Sequence, residues 1–254
     1  MLRRATELID YKLGATDGDI GKVQEFYFDD QAWTIRYLIA DTGGWLSGRQ
    51  VLISPYALDA VNKADKIIPV QMTRSQIEKG PSLATDRPVS RQYEDEYYSY
   101  YGWPAYWGGP YSWGTGAYPV RGQAKWSDAS RRRDEDPHLR STADVIGRDI
   151  QALDGDIGHT CDFVIDDETW DIRYLIVDTQ NWWPGKKVLI STRWIERISW
   201  EEARVFINMT REAIKQAPEF IDETLLTRDH EAKLHRHYKR DFYWDEEPIG
   251  LPRR

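Results

Sequence analysis

One cysteine, Cys161, stands among 254 residues, and no apolar run approaches the ~20 residues a membrane-spanning helix needs. A single thiol cannot close an intrachain disulfide, so a reducing cytoplasm is the expected setting. Met1-Leu2-Arg3-Arg4 runs straight into Ala5-Thr6-Glu7. It has no apolar stretch behind the basic start, and a secretory signal is not expected. Basic charge is also short: 34 Lys and Arg face 42 Asp and Glu, a net charge of -8. Nucleic acid is therefore not an expected partner. Gly-x-Ser-x-Gly, phosphate-binding and dinucleotide glycine loops are all missing. The chain is read as a non-enzyme, with no catalytic residue, cofactor or metal expected.

What the chain does have is a repeat. Asp17-Gly18-Asp19-Ile20-Gly21 aligns with Asp154-Gly155-Asp156-Ile157-Gly158 at an offset of 137, and no gap is needed afterwards. Ile35-Arg36-Tyr37-Leu38-Ile39 meets Ile172-Arg173-Tyr174-Leu175-Ile176, and Val51-Leu52-Ile53-Ser54 meets Val188-Leu189-Ile190-Ser191. From Asp17 to Ser54, 22 of 38 positions are identical. The register persists into the aromatic tract, where Arg91, Glu94, Tyr101 and Tyr106-Trp107 meet Arg228, Glu231, Tyr238 and Tyr243-Trp244. Such self-similarity organises the chain before any local reading does. Repeat one is expected over 1–107 with its aromatic tail, a linker over 108–144, repeat two over 145–244, and a flexible end over 245–254. The linker begins rich in Gly, Pro, Tyr and Trp and ends in mixed charge, so it is expected to be mobile or only loosely docked.

Within each repeat the Asp-Gly-Asp turn predicts a hairpin, followed by short β-branched and aromatic strands at turn intervals. Five or six such strands predict a small closed antiparallel barrel, which removes exposed sheet edges. The fold class is therefore mainly β, two tandem barrels each followed by short helices. Thr73 and Thr210 are placed as N-caps. The second helical piece runs over Ser90–Tyr101 and Thr227–Tyr238. Glu94, Tyr97, Tyr98 and Tyr101 fall on one stripe there, as do Glu231, Leu234, His235 and Tyr238.

The order Asp-Gly-Asp-x-x-Gly, hairpin, Ile-Arg-Tyr-Leu-Ile, Val-Leu-Ile-Ser resembles the PRC-barrel domain, twice over. Its best-known members are the cytoplasmic domain of the photosynthetic reaction-centre H subunit and the C-terminal domain of a ribosome-maturation factor. The resemblance implies a non-catalytic adaptor that docks onto a larger assembly. Alternatives are a peripheral component of a photosynthetic or respiratory electron-transfer complex and a ribosome-associated assembly factor.

Asp17, Asp19, Asp29 and Asp30 lack EF-hand spacing, since Gly21 and Phe28 occupy ligand positions, and read as turn residues. His230 and His235 are five apart and diverge on a helix, so they cannot share an ion and read as solvated or lightly packed. Cys161 lies in phase with Phe163 and Ile165 and reads as a buried, inert thiol. Tryptophan on loops is enriched at binding surfaces, which selects Trp45, Trp182 and Trp183 before the Val-Leu-Ile strands. Tyr106, Trp107, Tyr243 and Trp244 are the other candidates, as anchors of the tail helices or as partner contacts. A protein partner is expected, a homodimer being one form of it.

Overall fold

The computed structural model describes residues 1–46, 49–81, 89–120, 138–179, 185–221 and 226–245. It is mainly β and divides into two compact units. Unit 1 holds Met1, residues 3–145 and residues 165–172; unit 2 holds Leu2, residues 146–164 and residues 173–254. In unit 1, Lys12–Ala15 (β2) and Gly18–Asp29 (β3) form the predicted hairpin, and Thr34–Asp41 (β4) and Gln50–Ile53 (β5) extend it antiparallel. Asp29 turns the chain between β3 and β4, its carboxylate accepting from the backbone N–H groups of Gln31 and Ala32 at 3.0 Å each.

The expectation of an all-antiparallel barrel is corrected. After β5 and a 3-10 turn at Pro55–Ala57, the chain crosses over and lays Ile67–Pro69 (β6) parallel to β2. The sheet order is β5-β4-β3-β2-β6, with Leu139–Ser141 (β7) pairing antiparallel to β3 off that path. Unit 2 repeats the plan. Asp149–Ala152 (β8), Gly155–Asp166 (β9), Ile172–Asp178 (β10) and Lys187–Ser191 (β11) are continued by Ile195–Ser199 (β12) and Arg204–Ile207 (β13). The strand order is β11-β10-β9-β8-β13-β12, β13 running parallel to β8; Leu2–Arg4 (β1) is the first strand of the chain. Both sheets are thus mixed, and neither closes among the described residues. The physical cause is a partner shortage. The free edge of β2 or β8 faces away from its hairpin mate, and a crossover reaches it where a tight turn from β5 or β11 cannot.

β4 and β10 are buried along almost their whole length instead of alternating. One face lies over the core, which includes Phe26, Phe28, Ile35 and Leu38 in unit 1 and Phe163, Ile165, Ile172 and Leu175 in unit 2. The other face is covered by the tail. Arg91–Tyr101 (the tail helix of unit 1, α3) follows the short helices Ala5–Leu8 (α1) and Arg74–Lys79 (α2). Arg228–Tyr238 (α5) follows Arg211–Lys215 (α4) in unit 2. Thr73 and Thr210 cap α2 and α4 as expected, Thr73 with a full capping box to Gln76. α3 ends on Gly102 at φ 69, whereas α5 ends on Lys239 at φ 53.

The first half of the linker departs from the loosely docked reading. Trp113 is 2% exposed, with its ring 5.0 Å from Tyr56 and 5.1 Å from the Arg36 guanidinium. Aromatic area of that size is worth burying even in a Gly- and Pro-rich segment. The charged half, 121–137, lies outside the described residues.

Candidate functional site

The tail stripe carries a carboxyl group where a core position stands. Glu94 is fully buried, and its partners come from three directions. Tyr37 of β4 donates its hydroxyl at 2.8 Å, Tyr106 beyond the helix donates at 2.9 Å, and Arg91 one turn earlier donates at 2.7 Å. A buried acid without such donors would be prohibitive. Tyr106 is itself flanked by cations, the Arg36 guanidinium lying 3.8 Å and that of Arg91 5.5 Å from its ring centre. A bulge makes this possible. Tyr27 pairs with Tyr37 and Phe28 with Ile35, so Arg36 is the extra residue in β4, and successive side chains both reach the tail.

Unit 2 builds the same cluster. Tyr174 and Tyr243 donate to Glu231 at 2.9 and 2.8 Å, and Arg228 pairs with it at 3.3 Å. Arg173 and Arg228 lie 4.3 and 5.3 Å from the Tyr243 ring. Around this shared set the copies differ, and His235, fully buried, stands where unit 1 has Tyr98. This overturns the solvated reading of His235. Trp194, Phe242, Tyr243 and Trp244 surround the imidazole, and no lightly packed helix face offers that enclosure.

Burial pushes Glu94 up to about 7, the Arg91 guanidinium and the two phenols pulling the other way. Between pH 4.5 and about 7 the folded chain keeps a proton that the unfolded chain releases. Stability from this group is therefore full below pH 4.5 and is lost as pH rises through 7, in all roughly 3 kcal/mol. Glu94→Gln removes the titration. Its stability measured against the parent by urea unfolding should gain about that much between pH 4.5 and 8, and a constant difference would contradict the assignment.

The carboxylates of the hairpin turns do something simpler. Asp17 accepts the backbone N–H of Arg74 at 2.7 Å, and Asp154 accepts that of Arg211 at 2.7 Å, so each turn caps the next short helix. Cys161 is half-buried and not fully buried as read. Local register in β9 turns Thr160 and Asp162 inward instead. Burial raises its thiol pKa, which disfavours the thiolate. No group of three His, Cys, Asp or Glu side chains among the described residues is placed to hold a metal ion.

A family model of the PRC-barrel domain matches residues 2–77 and again residues 138–214. The chain belongs to the PRC-barrel family. No curated protein matches it. Both PRC matches stop before α3 and α5, so Glu94 and Glu231 lie beyond the matched domains while their strand partners Tyr37 and Tyr174 lie inside them. No helix among the described residues is long and apolar enough to cross a membrane.

The sequence-selected aromatics fall into two groups on this PRC-barrel frame. Tyr106 and Tyr243 are buried in the clusters, while Trp107 and Trp244 are half-buried with Arg91 and Arg228 guanidinium groups at 4.4 and 4.2 Å. Trp45 is half-buried on its loop with Arg74 at 4.5 Å. A Cβ added at neighbouring Gly43 or Gly44 would meet nothing within 4 Å. Trp182 and Trp183 lie outside the described residues. Sequence reasoning missed Tyr37, Arg36, Arg91 and their counterparts. The signal was available in the two copies: Arg-x-x-Glu with Tyr twelve residues after the Glu, in both tails.

Proposed function

We propose that this PRC-barrel protein is a non-catalytic cytoplasmic adaptor that meets a protein partner through its loop tryptophans, Trp45, Trp182 and Trp183. One observation carries the reading. Tyr37, Glu94, Tyr106 and their counterparts Tyr174, Glu231 and Tyr243 are buried and engaged in holding the tails, while the Gly43-Gly44 loop beside Trp45 stands in open space. Large aromatic rings on such a loop bury much area on contact at small entropic cost. A second copy of the chain is one partner of this kind.

The test is affinity capture from native lysate split into soluble, ribosomal and membrane fractions, with Trp45, Trp182 and Trp183 all changed to Ala as control. One assembly enriched by the parent and lost by the variant is the expected result, with urea unfolding of the variant within about 1 kcal/mol of the parent. Equal capture by both proteins would sink the loop assignment. Enrichment confined to a respiratory or photosynthetic complex, or to ribosomal particles, would replace the general adaptor with that specific role.

A further inference from the structure

Both tails carry Arg-x-x-Glu with Tyr twelve residues after the Glu, and both sheets meet them with the same dipeptide, Arg36-Tyr37 or Arg173-Tyr174. That shared set cannot tell one tail from the other. We propose that each sheet face is a selective docking site, keyed to its own tail by one tryptophan, Trp103 or Trp194, delivered from opposite sides of the joint.

The two helices end alike. Gly102 and Lys239 take positive φ, and the next backbone N–H returns to the helix, Trp103 to the Tyr98 carbonyl and Arg240 to the His235 carbonyl, at 3.0 Å each. Positions 103 and 240 are therefore equivalent in geometry as well as in the repeat. In unit 1 Trp103 is buried, its ring stacked 4.7 Å from Tyr101 and lying 6.4 Å from Tyr98. On the sheet side it meets Tyr56 at 6.0 Å, in a turn whose next residue is the fully buried Ala57. Unit 2 reverses the delivery. Its turn, Thr192–Trp194, carries Trp194 at the place of Ala57, and this ring lies 5.1 Å from His235 and 4.9 Å from Tyr238. Those two are the counterparts of Tyr98 and Tyr101. The tail supplies only Arg240, which is exposed and donates to the carbonyl of Asn208 at 3.0 Å.

One indole thus fills each joint between turn and helix end, from the tail in unit 1 and from the sheet side in unit 2. Mismatched tails fail in opposite ways. α3 on the unit 2 face would bring Trp103 to rings that Trp194 already covers, two indoles for one place. α5 on the unit 1 face would set Arg240 against Ala57, leaving no indole and a void beside buried rings. The ring sizes agree with this code, because the smaller imidazole of His235 stands opposite the turn that carries the indole. A wrong partner is refused by clash or by emptiness, while the Arg, Glu and Tyr contacts remain common to both. The helix that fits unit 1 bears an indole two residues past its end, and the helix that fits unit 2 lacks one.

Amide hydrogen exchange of the full chain at one pH reads each tail separately. Ala57→Trp adds a second indole in unit 1 and should lower α3 protection about ten- to hundredfold. Trp103→Arg leaves that joint without one and should lower it at least as far. The double variant copies unit 2 and should protect α3 better than either single variant, to within about tenfold of the parent. In unit 2, Trp194→Ala and Arg240→Trp should each weaken α5 and together restore it. The tail of the unsubstituted unit is the control and should stay level. Residues that merely pack, each on its own account, would give losses that multiply. Should a single variant fail to fold, the double variant still decides, since recovery then reads as a folded protein. A double variant that does not surpass both of its single variants, in either unit, would overturn the proposal.

Discussion

Gly21→Ala and Gly158→Ala should each strongly destabilise the unit that carries the substitution, by several kcal/mol. Both residues sit in the long first hairpin, with φ +146 and +139, a conformation that side chains rarely adopt. The space is closed as well. A Cβ at Gly21 would run into the carbonyl oxygen of Asp41, and one at Gly158 into that of Asp178. These are backbone atoms of strands paired on both sides, not ends of flexible chains, so they cannot swing aside. Backbone strain of about 1–3 kcal/mol adds to an overpacking cost of similar size. Against a typical total of ~5–15 kcal/mol, that removes a large share of the stability of a small unit. Gly44→Ala is the control, since nothing lies within 4 Å of its added Cβ. It should cost less than about 1 kcal/mol. Circular dichroism with urea unfolding measures both, and a Gly158→Ala midpoint matching Gly44→Ala would refute the close approach.

Why the hairpins, caps and tail stripes were legible, and other features were not, follows from how far each signal reaches. Asp-Gly-Asp turns, the Thr73 and Thr210 caps and the spacing of Glu94, Tyr97 and Tyr98 are local periodic patterns, and the structure keeps them. The parallel pairing of β6 with β2 is not local. Ile67-Ile68-Pro69 reads equally well beside β5, and only the finished sheet shows which edge lacks a partner. The pairing of β7 with β3, Tyr27 opposite Ser141, joins residues more than a hundred apart and leaves no trace in composition. His235 misled for a related reason. On its own helix it is one of three histidines among charged residues, and its enclosure comes from Trp194, Phe242 and Trp244 on other segments. The Glu94 cluster was half legible. Its helix-borne members recur in both copies, but the bulge that turns Arg36 and Tyr37 toward them is set by strand register.

Tyr106→Ala and Tyr243→Ala should cost more stability than any loop tryptophan, on the order of 3–5 kcal/mol in the unit concerned. The ring of Tyr106 is 3% exposed and lies between two guanidinium groups, so its loss opens a cavity and leaves Arg36 and Arg91 without the π face between them. Its hydroxyl is one of three donors on buried Glu94, and an acid stripped of one donor has less to offset its desolvation. Tyr106→Phe separates these effects. The ring stays, only the hydrogen bond goes, and the expected cost falls to roughly 1–2 kcal/mol. Tyr243 repeats the arrangement, but Arg228 has a half-exposed side chain, so water replaces part of what is lost and the effect should sit at the lower end. Urea unfolding gives the magnitudes, and exchange at α3 and α5 shows whether the tail opens first. A Tyr106→Ala protein as stable as Trp45→Ala would mean that the ring does not anchor the tail and is available to a partner. The expected order, with tyrosine to alanine most costly and Trp45→Ala least, assigns the tail aromatics to holding the unit together and leaves the loop tryptophans for contact.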